Sequence, residues 1–445
     1  MKRKSFIKNS SLAVLGLVAS VPRDIYGKDI FMGQKYKVNE KRIESRIMDL
    51  AKYGQDDKGR GFRVAYTKGD IEGRGWFMDL MKKAGLQPEI DTAGNIIGKR
   101  AGKNSALKPI AFGSHLDMVP DGGNYDGTLG SIGALEVIET LNESAHVTDH
   151  PLELIIFSNE EGGTMGSKAM VGEFTREGLR QVSQSGVTMG EGIKAIGGDP
   201  DHIEACARKK GDIHAWVELH IEQGGILEKE HVQIGVVEGI VGIVHWEVAI
   251  EGFANHAGST PMNMRQDALL AASAFILEVN KVIKSVKGNQ VGTVGKIAAM
   301  PGAYNVIPGK VVLGLEIRDL SSDKIEMLFR EVEKRSGAIA KEYKTSFHFE
   351  RQSNESKPAL TNKKMQQVIN VSAKSRGFTT KLMQSGAGHD SQHMAAIAPS
   401  GMIFIPSVGG ISHSPKEFST PTDMANGVSV LLETIMALDK EKLIG

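Results

Sequence analysis

Imidazole and carboxylate side chains follow four separate apolar stretches of this 445-residue sequence. Each group stands where its stretch, interpreted as a buried strand, would end: His115 after 110–112, Glu160 and Glu161 after 152–157, His220 after 215–219, and His413 after 402–405. An open α/β sheet presents ligands beyond the carboxyl ends of its strands, so we expect these side chains to converge. One histidine at a strand end is ordinary, but four such ends in one chain indicate a metal site.

This mixture of nitrogen and oxygen donors suits divalent ions of the zinc type, and a bridging carboxylate can hold two of them. Asp126, which closes the Gly-rich loop after His115, adds a further oxygen donor. Water held between two such ions loses its proton readily and becomes a nucleophile. Glu160 is then placed to take that proton and pass it to a leaving nitrogen. Asp117 is predicted to orient the imidazole of His115.

The composition limits the class of protein and the kind of metal site. Apolar residues make up 40% of the chain and charged residues 24%, as in an ordinary soluble protein. The formal net charge of +1 gives no reason to expect a nucleic-acid partner. Cys206 is the sole cysteine, which excludes an intramolecular disulfide and a cysteine-based zinc site. Any metal is therefore held by His, Asp and Glu.

The first 27 residues are predicted to be an export signal. They combine a basic start, a short apolar segment at 12–18 and small residues at 19–20, and the segment is too short for a permanent membrane anchor. Residues 3–8 resemble a twin-arginine signal with lysine in place of the second arginine; a disordered or amphipathic start is the alternative. We expect an exported, periplasmic protein whose mature N-terminus, measured by mass spectrometry, lies within 21–28.

Apolar periodicity predicts a catalytic domain in two parts, 36–240 and 357–445, interrupted by a smaller domain over 241–356. The inserted segment has the order strand, helix, strand, strand, helix, strand, which is typical of a ferredoxin-like sandwich. Its predicted strands are 243–250, 291–298, 310–317 and 345–351, and its predicted helices are 264–285 and 323–340. Outside it we predict helices at 41–52, 70–84 and 128–141, and a strand, turn and strand over 87–98.

Seven stretches from about residue 63 onwards resemble the amidase/hydantoinase/carbamoylase family of binuclear zinc hydrolases, which is related to the zinc aminopeptidases. They are GSHLDMVPDGGNYDG, NEEG, ELHIEQG, HAGSTPMNMRQDA, NVIPG, GAGHD and SHSPKE. ELHIEQG and HAGSTPM together are highly specific, whereas NEEG alone is weak. The resemblance implies a zinc-aminopeptidase-like α/β fold, in which helices flank a mixed sheet, with an inserted ferredoxin-like lid that also forms a homodimer.

The resemblance also implies a role for each candidate residue. Its metal ligands are His115, Asp126, Glu161, His220 and His413. Asp126 then bridges two divalent ions, for which zinc is expected, although manganese, cobalt and nickel suit the same donors. Glu160 is implied as the general base.

Four further residues are implied to contact the substrate. His256 corresponds to a histidine that stabilises the transition state in the active site of the neighbouring subunit. Asn305 and Arg318 match residues that hold a substrate carboxylate, and Gln223 belongs to the same pocket. The alternative for Arg318 is a structural salt bridge with Glu316 or Asp319.

The turn after Glu161 departs from this family pattern. The family continues there with a longer turn that contains Arg-Phe, whereas this chain has the shorter segment 162–167. The ligand set is unaffected, but we expect a wider cavity wall beside the metals.

The sequence thus predicts a dimeric, metal-dependent amidohydrolase. It would cleave a non-peptide C–N bond of a carbamoyl or ureido group on a carboxylate-bearing small molecule, of the N-carbamoyl-L-amino acid or allantoate type. A peptidase or deacylase of the same clan is one alternative. A non-catalytic solute-binding protein is another, but the retention of every ligand and of Glu160 argues against it.

Overall fold

The computed structural model describes residues 36–56, 59, 61–353 and 355–440. The predicted export signal and its expected cleavage position lie outside this part of the chain. Among the described residues, no helix combines the length and the apolar character needed to cross a membrane.

Fifteen strands are assigned within the described ranges, and they form three sheets. Their bounds are β1 Gln87–Ile90, β2 Ile96–Arg100, β3 Ile110–His115, β4 Leu152–Phe157, β5 Ala215–Ile221, β6 Ile234–Ile240, β7 Gly242–Glu251, β8 Asn255–His256, β9 Val291–Met300, β10 Val306–Ile307, β11 Lys310–Asp319, β12 Ser346–Arg351, β13 Ala359–Leu360, β14 Thr380–Ser385 and β15 Ser400–Ile405.

Eleven α-helices accompany these strands in the same part of the chain. Their bounds are α1 Glu40–Leu50, α2 Lys68–Lys83, α3 Thr128–Glu143, α4 Met165–Met170, α5 Met189–Ala195, α6 Ile226–Glu230, α7 Ala268–Ser285, α8 Ser322–Tyr343, α9 Lys363–Ser375, α10 Asp390–Met394 and α11 Pro421–Leu438.

The largest sheet has nine strands in the order β1-β2-β4-β3-β5-β15-β6-β13, with β14 also paired to β6. Its centre consists of β4, β3, β5 and β15, which are neighbours and run parallel to one another. Every residue of these four strands is buried, which explains why their sequences are mainly apolar. Because neighbouring parallel strands end at the same edge, the loops that follow all four meet there.

Alternate residues of the central strands pack into two different apolar cores. In β4, Leu154 and Ile156 belong to a large core that also takes in residues of α1, α3, α9 and α11. Ile155 and Phe157 face the other way, into a smaller core that contains Trp216. The predicted α/β fold with a mixed sheet flanked by helices is confirmed.

The segment between β6 and β13 forms a separate four-stranded antiparallel sheet in the order β12-β7-β11-β9. Helices α7 and α8 pack against it around a core of its own, which includes Phe275 of α7 and Leu313 and Leu315 of β11. The observed order, β7-α7-β9-β11-α8-β12, is the predicted βαββαβ order of the inserted segment. The exact domain boundaries stay predictions.

One predicted helix of the insert begins later than expected. The periodicity predicts a start at 264, but α7 begins at Ala268. Pro261 and the short 3₁₀ turn Met262–Met264 precede it. Asp267 is the N-cap, and its side chain accepts hydrogen bonds from the backbone N–H groups of Leu269 and Leu270. The cap fixes the true start, because it satisfies N–H groups that have no partner within the helix.

Helix α3 lies unusually close to β5, and a glycine makes this approach possible. A Cβ atom added to Gly130 would overlap the backbone carbonyl oxygen of Leu219. Helix α3 follows Asp126 and Gly127 directly, so any displacement of its first turn also moves the candidate metal ligand.

We predict that Gly130→Ala destabilises the protein by about 1–3 kcal/mol, because overpacking forces the backbone apart. Gly75→Ala on α2 is the matched control, since a Cβ there meets no atom within 4 Å. That change should raise the free energy of unfolding by about 0.5–1 kcal/mol through helix propensity. Urea unfolding of both variants measures the difference. Equal effects of the two substitutions would contradict the close packing of α3 on β5.

Candidate metal centre

The carboxylate of Asp126 lies between two groups of possible ligands, at the edge where the four parallel strands end. Its Oδ1 lies 3.5 Å from Nε2 of His115 and 3.1 Å from Nε2 of His220. Its Oδ2 lies 3.2 Å from Nε2 of His413, whose Nε2 is also 3.6 Å from Oε2 of Glu161. The donors therefore form two sets of three that share Asp126.

The two buried histidines present the correct nitrogen to this site. Nδ1 of His115 lies 3.0 Å from the backbone oxygen of Asp117, and Nδ1 of His220 lies 2.9 Å from the backbone oxygen of Ile221. A carbonyl can only accept, so in the neutral ring each Nδ1 carries the proton and each Nε2 keeps its lone pair. Nε2 of His220 also accepts a hydrogen bond from the backbone N–H of Gly127 at 3.1 Å. These lone pairs face Asp126, as a metal ligand requires.

Glycine is required directly after the shared carboxylate. Gly127 has φ +60°, and a Cβ atom there would overlap the imidazole of His115. A side chain at this position would displace one of the two histidines that face Oδ1 of Asp126.

Acidic groups accumulate at the site with few partners of their own. Burial is the main cause that raises the pKa of Glu160 well above its ordinary value, and burial beside Asp126 raises the pKa of Glu161 to about 7. Burial acts in the same direction on Asp126, but the histidines around it hold its pKa well below the ordinary value. Oε1 of Glu161 is buried and has no hydrogen-bond partner among the described residues.

These observations test whether the residues fit a divalent metal. Buried carboxylates packed close together are costly unless positive charge compensates them. The donor set consists of imidazole nitrogen and carboxylate oxygen only, which suits zinc and its neighbours in the first transition series. The residues therefore fit divalent cations, and the side chains that would hold them are His115, Asp126, Glu161, His220 and His413.

Glu160 lies beside this set without belonging to either group of three. It is buried, and its Oε2 lies 3.7 Å from Nε2 of His115. The carboxylate of Asp117 accepts hydrogen bonds from the backbone N–H groups of Glu160 and Glu161, at 3.3 and 3.1 Å. Asp117 thus holds the turn after β4 through its carboxylate, whereas its backbone oxygen contacts the imidazole that it was predicted to orient.

Two supporting residues carried no predicted role. Oε1 of Glu417 accepts hydrogen bonds from the N–H groups of Tyr125 and Asp126, at 2.8 and 3.0 Å, and its Oε2 accepts one from the hydroxyl of Ser412. Glu417 therefore joins the loop of Asp126 to the loop of His413. The imidazole of His389 packs edge-on against His220, with ring centroids 4.5 Å apart. The stretches SHSPKE and GAGHD were the available signals, but neither indicated these contacts.

A cavity of about 700 Å³ opens above the metal-ligand groups, and Gln223 and Arg318 both line it. Nε2 of Gln223 donates to Oδ2 of Asp126 at 2.6 Å. Arg318 donates to Glu316 through Nε and Nη2, at 2.7 and 3.0 Å, and to the backbone oxygen of Gly386 through Nη1 at 2.7 Å. The salt bridge to Glu316 that was the alternative for Arg318 is thus present within the cavity wall.

His256 and Asn305 are not among the residues that line this cavity. His256 is exposed on β8, which pairs with β10, and the backbone oxygen of Asn305 accepts a hydrogen bond from Ala257 at 2.9 Å. Nδ1 of His256 accepts N–H groups of Gly258 and Ser259, at 3.1 and 3.2 Å, so Nε2 carries the proton of the neutral ring.

Comparison with known proteins supplies the family. The family model described as "Peptidase family M20/M25/M40" matches residues 111–437, which include all five candidate ligands. The chain belongs to peptidase family M20/M25/M40. This M20 membership agrees with the predicted zinc-aminopeptidase-like clan.

Individual relatives of this M20 chain carry more specific names. An N-carbamoyl-L-amino acid amidohydrolase of Geobacillus stearothermophilus is 38% identical over 406 residues, 90% of this chain and 99% of the relative. A ureidoglycolate hydrolase of Oryza sativa subsp. japonica is 37% identical over 413 residues, 89% of this chain and 84% of the relative. A crystal structure of an amidase of the hydantoinase/carbamoylase family from Burkholderia multivorans superposes with a TM-score of 0.86 at 35% identity, covering 92% of this chain and 100% of that one. The predicted family resemblance is confirmed.

Because Asp126 belongs to both groups of ligands, we predict that Asp126→Ala retains less bound metal than His413→Ala, which damages one group only. Glu160→Gln is the control, since Glu160 lies outside both groups and the variant should retain the metal content of the wild type. Elemental analysis of each purified, folded variant measures the result. Full metal content in Asp126→Ala would contradict the shared position of this carboxylate.

Proposed function

We propose that the protein hydrolyses a non-peptide C–N bond of a carbamoyl or ureido group on a small carboxylic acid. The observation that carries this proposal is the position of Glu160, which is buried beside the ligand groups but outside both. A retained general base distinguishes a working hydrolase from a protein that only binds its ligand. The named activities of the amidohydrolase relatives support the bond type.

We propose two divalent ions, zinc by preference, held by the five ligands with Asp126 between them. Such ions, when bound, supply Lewis acidity and lower the pKa of water, so that a nucleophile forms near neutral pH. The chain itself contributes the proton transfer. Glu160 takes a proton from the attacking water and delivers it to the leaving nitrogen, and its raised pKa suits a group that must hold that proton between the two steps.

The substrate carboxylate is proposed to bind Arg318. Three of the five N–H donors of this guanidinium bond Glu316 and Gly386, which leaves one donor on each Nη. These two donors form a planar fork that matches the two oxygens of a carboxylate. Glu316 and Gly386 fix the orientation of the fork, so the salt bridge supports the binding role. Gln223, which lines the same cavity and bonds Asp126, is placed to contact the scissile group.

We further propose a homodimer in which His256 and Asn305 serve the active site of the partner. Both residues lie on the insert, away from the cavity of their own chain. Nε2 of His256 carries a proton and is exposed, so it can donate to a developing oxyanion. The insert has a sheet edge at β9, which is available for pairing with a second copy. We also propose that the protein is exported to the periplasm.

A panel of N-carbamoyl-L-amino acids, ureidoglycolate, allantoate and dipeptides tests the reaction type with metal-loaded protein. We expect release of ammonia from the carbamoyl or ureido compounds and slower or no cleavage of dipeptides. Glu160→Gln should lose about a hundredfold to ten-thousandfold in rate, as removal of a general base does. Dipeptide cleavage alone would assign the chain to the peptidases, and near-normal turnover by Glu160→Gln would refute its role.

Mixing two inactive variants, His256→Ala and Glu160→Gln, tests the shared active site. In a mixed dimer one site collects both defects and the other collects neither. Equal amounts give about half mixed dimers with one intact site each, so roughly a quarter of wild-type activity should return. Native mass spectrometry verifies subunit exchange. If exchange occurs without recovery, His256 acts within its own chain.

A further inference from the structure

The wall of the cavity beyond the turn after Glu161 carries a hydrogen-bonded series of three side chains. The hydroxyl of Thr164 lies 2.9 Å from Nε2 of His393, and Nδ1 of His393 lies 2.8 Å from Oε2 of Glu173. All three residues line the cavity, and Lys168 of α4 lines it beside them. None of these four residues belongs to the metal-ligand groups or has a role in the reaction proposed above.

The turn that presents these side chains is held in an uncommon conformation. Thr164 has φ +56° and ψ +38°, a left-handed conformation that a β-branched residue rarely adopts. Backbone N–H groups of Gly163 and Thr164 both donate to the carbonyl oxygen of Glu160. This conformation places the hydroxyl of Thr164 toward His393, on the same turn that carries Glu160. Strained backbone conformations of this kind cluster at functional sites.

His393 is fully occupied by its two neighbours and serves to orient one of them. Burial lowers the pKa of His393, which favours the neutral imidazole. Nδ1 then donates its proton to Oε2 of Glu173. Nε2 lies 2.9 Å from the hydroxyl of Thr164, which also lies 2.7 Å from the backbone oxygen of Gly163. Glu173 is consequently fixed by one oxygen. Its other oxygen, Oε1, has no hydrogen-bond partner among the described residues, and the side chain is about half exposed.

Lys168 supplies donors on the same wall. It is partly buried, and it forms no ion pair with any carboxylate that the structure describes, although the charges of Glu173 and Glu160 act on it. Its ammonium group therefore has N–H donors available to a molecule in the cavity. The wall thus offers a fixed acceptor on Glu173 and a donor on Lys168, on the same cavity as the guanidinium of Arg318.

We propose that Lys168 and Glu173 form a specificity subsite for a neutral amide or ureido group in the substrate, additional to the carbamoyl group that is hydrolysed. A primary amide presents a carbonyl acceptor to Lys168 and an N–H donor to Glu173. His393 and Thr164 are positioning residues that hold Glu173. This inference rests on the proposed function and names its substrate class, which is a carboxylic acid with a second amide or ureido group.

Other substituents fit this wall less well. A branched apolar group would cover the ammonium of Lys168 and the carboxylate of Glu173 without replacing their hydrogen bonds to water, which is costly. A carboxylate would gain Lys168 but meet the negative charge of Glu173. Selectivity for the amide therefore requires both residues, whereas selectivity for an anion would require the lysine alone.

Three substrates with the same number of non-hydrogen side-chain atoms separate these cases. N-carbamoyl-L-asparagine, N-carbamoyl-L-leucine and N-carbamoyl-L-aspartate differ only in the end of the side chain, which is an amide, an apolar branch or a carboxylate. For the wild-type holoenzyme we expect kcat/KM for the asparagine compound to exceed that for the leucine compound by roughly tenfold to a hundredfold, the effect of one hydrogen bond to a charged group. It should also exceed that for the aspartate compound.

Lys168→Met and Glu173→Gln test the two residues with side chains of similar length. Each should reduce the ratio of kcat/KM for the asparagine over the leucine compound by about tenfold. Glu173→Gln should also improve the relative rate for the aspartate compound, because the opposing charge is gone. The matched controls are Lys83→Met and Glu177→Gln, two exposed residues outside the cavity lining, which should leave the ratios unchanged. His393→Gln should lower the asparagine preference while metal content stays at the wild-type value.

Binding to the Glu160→Gln holoenzyme, measured by calorimetry, separates this proposal from the proposed function. Suppose that the wild-type holoenzyme hydrolyses none of the compounds, but that the Glu160→Gln holoenzyme binds the asparagine compound about tenfold more tightly than the leucine compound. The proposed reaction is then wrong and the subsite is correct. Equal or reversed affinities and rates for these two compounds would overturn the subsite. A preference for the aspartate compound would overturn the role of Glu173.

Discussion

The sharing of one carboxylate between two sets of ligands is the constraint on which the rest of the site depends. Asp126 is buried, with two histidines near one oxygen and a third near the other. A small rotation of this carboxylate would disturb both sets together, so the chain restrains it from several directions. Gly127 makes room for His115, and Glu417 bonds the backbone of Asp126 itself. The ligands come from distant parts of the sequence, but one residue fixes their common geometry.

The fold meets this constraint through the order of its strands. Because β4, β3, β5 and β15 are adjacent and parallel, the loops that follow them share one edge of the sheet. Much of this could be predicted, since continuous apolar runs such as 152–157 indicate buried strands and each run ends in a polar cluster. The sequence does not contain the order of the strands, which depends on long-range pairing. It also concealed Glu417, because a lone glutamate is usually solvated and its partner Tyr125 lies 292 residues away.

The insert shows a different limit of sequence-based inference. The six elements of its βαββαβ order were predictable from periodicity, apart from the start of α7, where the cap at Asp267 outweighs the apolar pattern. The two-residue strands β8 and β10 were not predicted. The positions of its polar side chains relative to the cavity were not predictable, because a residue type does not show which cavity the side chain lines. Arg318 lines the cavity of its own chain and also bonds Glu316, so a salt bridge and a position at the cavity are compatible. His256 lies on the same insert yet outside that cavity, and its proton on Nε2 faces solvent.

The short turn after Glu161 shows why fold and specificity separate in this protein. The turn leaves the ligands and Glu160 in place, since Asp117 holds their backbone from a neighbouring strand end. Thr164 in the turn, and Glu173 and His393 beyond it, belong to neither group of ligands. In this chain they form a polar, internally bonded wall with a strained threonine at its start. The candidate metal centre is therefore held by the sheet, whereas the side chains that line the cavity beside it belong to a separate part of the structure, and functional sites vary on a common fold in this way.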